Sequence, residues 1–145
     1  MSRGIRNNNP GNIKDFGIPW EGLAADHERT PEQQKESTFC VFRGPHWGIR
    51  AMAIILRNYQ KKHNLRTINQ MMNRWAPKSD SNPIYQYTNY VAEKVGVGQN
   101  VSIDVDDFDT MLKLVRAITR FENGEDPYDC EYHTGLILAG IEPRT

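Results

Sequence analysis

One stretch near the C-terminus constrains this chain more than any other. Phe108, Met111, Leu112, Val115 and Ile118 recur at helical spacing. One face of a helix over 104–122 is therefore expected to be buried. Asp106 and Asp107 stand at its start as cap-like acids. Asn123-Gly124 stops it, because glycine just past a helix end takes the left-handed conformation at little cost. Glu122 then falls on the last turn, beside an apolar wall. A carboxyl set against apolar surface favours its neutral form, and a protonated carboxyl can serve as a general acid. The competing reading of the same residue is a solvated helix-end glutamate.

A buried helix face needs partners, and the chain supplies them. Residues 47–62 carry Ile49, Met52, Ile55, Leu56 and Tyr59 on one face, with Arg50, Arg57 and Lys61 opposite. Thr67 reads as the cap of a short helix over 68–75 that Pro77 ends. Pro83 opens a helix over 84–95, closed by Gly96 and Gly98. A short last helix is expected within 128–141. Asn7-Asn8-Asn9-Pro10-Gly11 is dense turn chemistry that excludes a helix over 4–13. Residues 24–38 are polar without a period and read as an exposed loop or a hairpin arm; 79–82 read as a loop. Phe39 to Phe42 is the one convincing β segment, and a second strand is expected near 13–20. The expected fold is α+β and mainly α, a single domain over 1–145 with a small β-hairpin. The 145 residues suffice for one real core.

Composition narrows the function classes. Eighteen Lys+Arg balance eighteen Asp+Glu, so no field steers the chain to nucleic acid, and Lys61-Lys62-His63 is a local basic spot. No apolar run is long enough to insert in a membrane. Residues 1–9 hold no signal-peptide core. His27, His46, His63 and His133 are scattered, with no metal-ligand spacing, so neither a metal nor a cofactor is expected. Cys40 and Cys130 read as reduced structural thiols. The expected state is a monomer.

Ala117-Ile118-x-x-Phe121-Glu122-Asn123-Gly124 resembles the Ala-Ile-x-x-x-Glu-Ser-Gly signature of lysozyme-like lytic transglycosylases and glucosaminidases. In that superfamily the glutamate is the catalytic acid. Asn8-Asn9-Pro10-Gly11-Asn12-Ile13, then Trp20-x-Gly22, then Phe39-x-x-Phe42, then a helix to Tyr59, resembles the part downstream of the catalytic glutamate in flagellar and autolysin-type glucosaminidases. Asn82-Pro83-Ile84-Tyr85 is similar to their later Asp-Pro-x-Tyr. In those enzymes the glutamate helix comes first; here it comes last. A circular permutation reconciles the two, and it is tolerable where old termini lie close together. The whole pattern looks like small phage lytic enzymes of the virion-associated type. That resemblance implies a peptidoglycan-degrading enzyme made in a host cytoplasm and acting in the bacterial periplasm or carried in a virion. The alternative is a non-catalytic lysozyme-like virion protein that is structural or binds the cell wall.

The resemblance makes the glycan strand of peptidoglycan the partner and Glu122 the acid that protonates the glycosidic oxygen. A retaining glycosidase needs a second carboxylate at ~5 Å and an inverting one at ~6.5–9.5 Å; a lytic transglycosylase needs none. Asp15, Asp26, Glu36, Asp126 and Asp129 are the candidates for a second acid, each otherwise a solvated charge, and the single-glutamate mechanism is preferred. Asn9 and Asn12 are candidates to bind N-acetyl groups or to fix the carboxyl, against a role in the turn alone. Trp20 is a candidate sugar platform. Tyr85 or Tyr87 places a hydroxyl over the cleft in the way the resembling families use a tyrosine. Trp75 reads as core.

Overall fold

The computed structural model describes residues 1–76 and 83–144. Its described residues form seven α-helices: α1 Arg3–Arg6, α2 Pro31–Gln34, α3 Pro45–His63, α4 Ile68–Trp75, α5 Ile84–Val95, α6 Phe108–Asn123 and α7 Cys130–Leu138. A 3-10 turn covers Asp26–Glu28. The architecture is thus mainly α, as the helical periodicities require.

Local chemistry explains the helix ends. Pro45 sits in the first turn of α3, where its missing N–H costs nothing. Thr67 accepts from Gln70 N at 3.1 Å, and the Gln70 side chain returns to Thr67 N at 3.2 Å, a reciprocal cap for α4. Asp107 Oδ2 accepts from Thr110 N at 3.1 Å at the start of α6. Gly124, at φ 72°, closes α6 in the left-handed conformation.

The long α3 packs against α7 and α6, α5 lies between α4 and α6, and α1 docks on α6. Ile49, Met52 and Leu56 of α3 meet Met111, Leu114 and Ile118 of α6 in one core, all with no exposed area. Burying such side chains fully contributes roughly 1.5–3 kcal/mol each. Asp106, beyond the cap itself, pairs with Arg57 and Lys61 of α3.

Three expectations are corrected. Among the described residues no β-hairpin forms: they hold isolated antiparallel bridges, Lys14 to Phe39, Leu23 to Phe42 and Thr67 to Ser102, and no continuous strand. The extended segment over 38–43 bonds to two separate pieces. Cys40 N donates to Ile13 O and Asp15 N to Thr38 O on one side; Ala24 N donates to Val41 O and Arg43 N to Gly22 O on the other. Between those pieces Gly17 and Gly22 have φ of 80° and 83°, and Pro19 has no N–H, so no ladder continues. Second, one helical turn, α1, does form within the opening segment. Ser2 Oγ caps it, accepting from Ile5 N at 3.3 Å, and a single turn is too short to leave a periodic signal. Third, the polar arm holds α2, whose Thr30-Pro31-Glu32-Gln33 start is a capping box with proline in the first turn. The loop expected at 79–82, and Asn82 of the Asp-Pro-x-Tyr likeness, lie outside the described residues. Both cysteines are free; Cys40 is buried, which pushes its thiol up to about 11, whereas Cys130 is exposed.

Candidate active site

The end of α6 is bound to the opening turn of the chain. Asn123 Nδ2 donates to Pro10 O and to Thr119 O, each at 2.9 Å, while its Oδ1 accepts from Ser2 Oγ at 2.7 Å. One residue earlier, Glu122 is half-buried, and its Oε1 accepts from Asn12 Nδ2 at 3.0 Å. Asn12 holds a left-handed backbone, φ 50°, a conformation that asparagine tolerates better than most residues. Its Oδ1 is buried without a hydrogen bond. That oxygen packs over Gly4, where a Cβ would stand 3.0 Å from it and 2.9 Å from Asn9 O. Only a glycine lets α1 approach so closely. With its oxygen turned to Gly4, Asn12 presents its amide hydrogens to the carboxylate.

The other asparagines build the turn that holds Asn12. Asn7 Nδ2 donates to Glu36 Oε1 at 2.8 Å, and Asn8 Nδ2 to Phe42 O at 2.9 Å. Asn9 Nδ2 donates to Ile13 O and Cys40 O at 3.0 Å, and its Oδ1 accepts from Ile13 N at 2.9 Å. Asn9 has no exposed area. It is therefore a brace of the turn and not a glycan contact, because its amide is already engaged by backbone.

Tyr87 comes from α5. It has no exposed area, and its ring stacks on Phe121 with centroids 4.1 Å apart. Its hydroxyl lies near the Glu122 carboxylate and the Trp75 indole but completes no hydrogen bond of good geometry. Burial first, and the Glu122 charge second, raise its pKa well above the ordinary tyrosine value. Tyr87 thus stays a protonated hydroxyl beside the carboxylate. Tyr85, two residues earlier, is 76% exposed and does not line the site. The structure brings Tyr87 and not Tyr85 to Glu122.

Glu122 and Asn12 open into a cleft of about 540 Å³. Phe16, Trp20, Phe39, Tyr59 and Trp75 give it aromatic walls, and Lys14 and Arg74 add positive charge. Arg74 lies over the Tyr59 ring, 5.6 Å from its centroid. Trp20 lines this cleft, with a buried indole N–H that lacks a partner. Trp75 packs half-buried against the core, as expected, and also lines this cleft. Phe16, Ile18 and Arg74 were not singled out from sequence, and Tyr59 was read only as part of a buried helix face. The Ile55 and Tyr59 pair on α3 carried a signal, since its spacing places both on one side of the helix, but that side reads equally as core.

Among the described residues that line the cleft, Glu122 is the one carboxylate. The candidate second acids are elsewhere. Glu36 is enclosed, its side chain with no exposed area, between Arg3 and Arg6. Asn7 Nδ2 and the Thr38 and Phe39 N–H groups complete its shell. The hydrogen bond from Arg3 leads the causes that hold this carboxyl far below the usual range. Asp126 pairs with Arg116 at 3.0 Å and accepts from Tyr132 Oη at 2.6 Å. Asp15 closes its own turn, accepting from Gly17 N at 2.9 Å. Asp26 and Asp129 are exposed at helix starts. None of the five lines the cleft. No group of three His, Cys, Asp or Glu side chains among the described residues is arranged to hold a metal, and no described helix is long and apolar enough to cross a membrane.

This is a small, mainly helical protein with an aromatic cleft built around one carboxylate. The chain is 40% identical over 130 residues to protein P5 of Pseudoalteromonas phage PM2, a match covering 88% of this chain and 74% of the phage protein. It belongs to the family of that bacteriophage protein. No family model matches the chain.

Proposed function

We propose that this chain is a peptidoglycan-degrading enzyme that cuts the glycan strand between amino sugars, with Glu122 as general acid and then general base. We read it as a permuted lysozyme-like domain. The observation that carries the proposal is the position of Glu122: on the last turn of a buried helix, in the wall of an aromatic cleft, with Asn12 donating to one carboxylate oxygen. Because Asn12 is a donor to Oε1, Oε2 is the oxygen left to carry the proton delivered to the glycosidic oxygen. Bond cleavage leaves positive charge at the anomeric carbon. The sugar's own 6-hydroxyl then attacks that carbon, and the Glu122 carboxylate takes its proton, which restores the acid and leaves an anhydro ring. The lack of a second carboxylate among the described cleft residues favours this lytic transglycosylase route over hydrolysis. The docking of α1 and the 7–13 turn on the end of α6 supports the permutation, since it sets the two halves of the family pattern side by side despite their reversed order.

The test is wild type beside Glu122→Gln on isolated peptidoglycan, with soluble products identified by mass. Anhydro-sugar ends released by wild type alone are the expected result. Reducing ends would make the enzyme a hydrolase. Equal release by both proteins would remove Glu122 from the mechanism. No release by either folded protein would leave the wall-binding virion protein as the better reading.

A further inference from the structure

The cleft has an apolar rim that the single-glutamate chemistry does not use. Phe16 is 79% exposed and Ile18 is 49% exposed, yet both line the cleft that contains Glu122. They project from the turn Asp15-Phe16-Gly17-Ile18-Pro19-Trp20, which ends on the half-buried Trp20. The turn is held by its backbone and one carboxylate. Asp15 N donates to Thr38 O at 2.9 Å, Asp15 Oδ1 accepts from Gly17 N at 2.9 Å, and Trp20 N donates to Ile18 O at 2.9 Å. The positive φ of Gly17, 80°, lets the chain reverse between the two apolar side chains. The tip is therefore shaped without burying Phe16 or Ile18. Large apolar side chains left in water at the edge of a cleft mark a surface that something covers.

The geometry points to Phe16 and Ile18 as a remote sugar subsite: a platform for pyranose rings of the glycan strand beyond those joined by the scissile bond. This rests on the glycan-cleaving reading of the cleft. A pyranose ring offers an apolar C–H face and polar edges. The lining matches both, with Phe16, Ile18 and the Trp20 ring for the faces, and the Arg74 guanidinium for the edges. A lipid surface fits less well. Contact across this concave rim would bring the Glu122 carboxylate and the Arg74 guanidinium against acyl chains with no compensation. Binding energy from remote sugars supports catalysis at the reacting bond. The subsite therefore makes the enzyme prefer long strands to short ones.

The experiment uses the full chain carrying Glu122→Gln, so that no substrate turns over, and reads tryptophan fluorescence, because Trp20 and Trp75 both line the cleft. The probes are N-acetylglucosamine di- and hexasaccharides and isolated glycan strands. Phe16→Ser with Ile18→Ser is compared with the parent, and Tyr85→Ser serves as an exposed aromatic control outside the cleft. The expected result is a loss of about tenfold or more in affinity for hexasaccharide and strands, no change for disaccharide, and no effect of Tyr85→Ser. Equal binding of strands by parent and double variant overturns the subsite and leaves the proposed function intact. A parent that binds no glycan of any length overturns both. Unchanged glycan affinity, with loss of binding to phosphatidylglycerol vesicles in the double variant, overturns the subsite in favour of a membrane contact.

Discussion

Two glutamates in this molecule are held in opposite ways. Glu36 is closed in by Arg3, Arg6, Asn7 and two backbone N–H groups, with no exposed side-chain area. Glu122 receives one amide, from Asn12, and otherwise faces an aromatic cleft and the neighbouring Tyr87 hydroxyl. The first arrangement saturates a carboxylate and fixes its charge. The second gives Glu122 one amide donor among the described residues and leaves the rest of the carboxylate toward the cleft. The same contrast extends to the surroundings. Around Glu36 the asparagine turn engages its amides with Glu36 itself and with backbone, whereas the cleft exposes Phe16 and Ile18.

The comparison breaks most directly at Glu122. Glu122→Gln keeps the shape of the side chain and removes the proton, so activity on peptidoglycan should fall by about a hundredfold to ten-thousandfold, with an unchanged melting temperature as the control. If activity survives, the two glutamates do not differ in kind.

Glu36→Gln should act on stability, costing about 2–3 kcal/mol as charge-assisted hydrogen bonds are lost, read by chemical denaturation near neutral pH. Its pH dependence sharpens the point. The folded-state pKa of Glu36 is depressed. Its contribution is therefore full above the unfolded carboxyl value, about 4.3, and is lost as pH falls through the folded value. The stability gap between wild type and Glu36→Gln should narrow progressively below about pH 4. A gap that stays constant into acid would show that the cluster works by packing and not by charge.

A smaller effect is expected at Asn12. Asn12→Ala leaves Glu122 free to swing, and a misplaced acid costs about tenfold to a hundredfold in rate. The loss should appear in kcat with little change in KM. Asn12→Asp should not rescue it, because a carboxylate offers no donor to Glu122. The smallest effect is at Tyr85. Tyr85→Ser should alter stability by no more than ~0.5 kcal/mol and leave product release unchanged, whereas any clear loss would return Tyr85 to the cleft.

The helices were legible wherever a buried face repeated over several turns. Residues 68–75 and 84–95 coincide with α4 and α5, because Thr67 and Gly96 punctuate them chemically. Single turns were not legible: α1 is one turn, set by Ser2 and by its docking on Asn123. The expected hairpin failed for a tertiary reason, as 38–43 has a half-share of two partners in place of one full strand. At the site, Glu122 and Asn12 were both identifiable as polar groups at helix-end and turn positions. Their meeting was not, because 110 residues separate them.

From sequence alone came the position of Glu122 on the last turn of an amphipathic helix and the turn character of residues 7–13. Both follow from spacing and backbone preference, which are local. Tertiary structure decided which asparagine faces the carboxylate, which tyrosine stands beside it, and that Glu36 is a buried strut. Those outcomes depend on α1, α5 and α6 converging, and on the absence of a side chain at Gly4. Convergence is set by packing among residues far apart in the chain, and no local pattern records it.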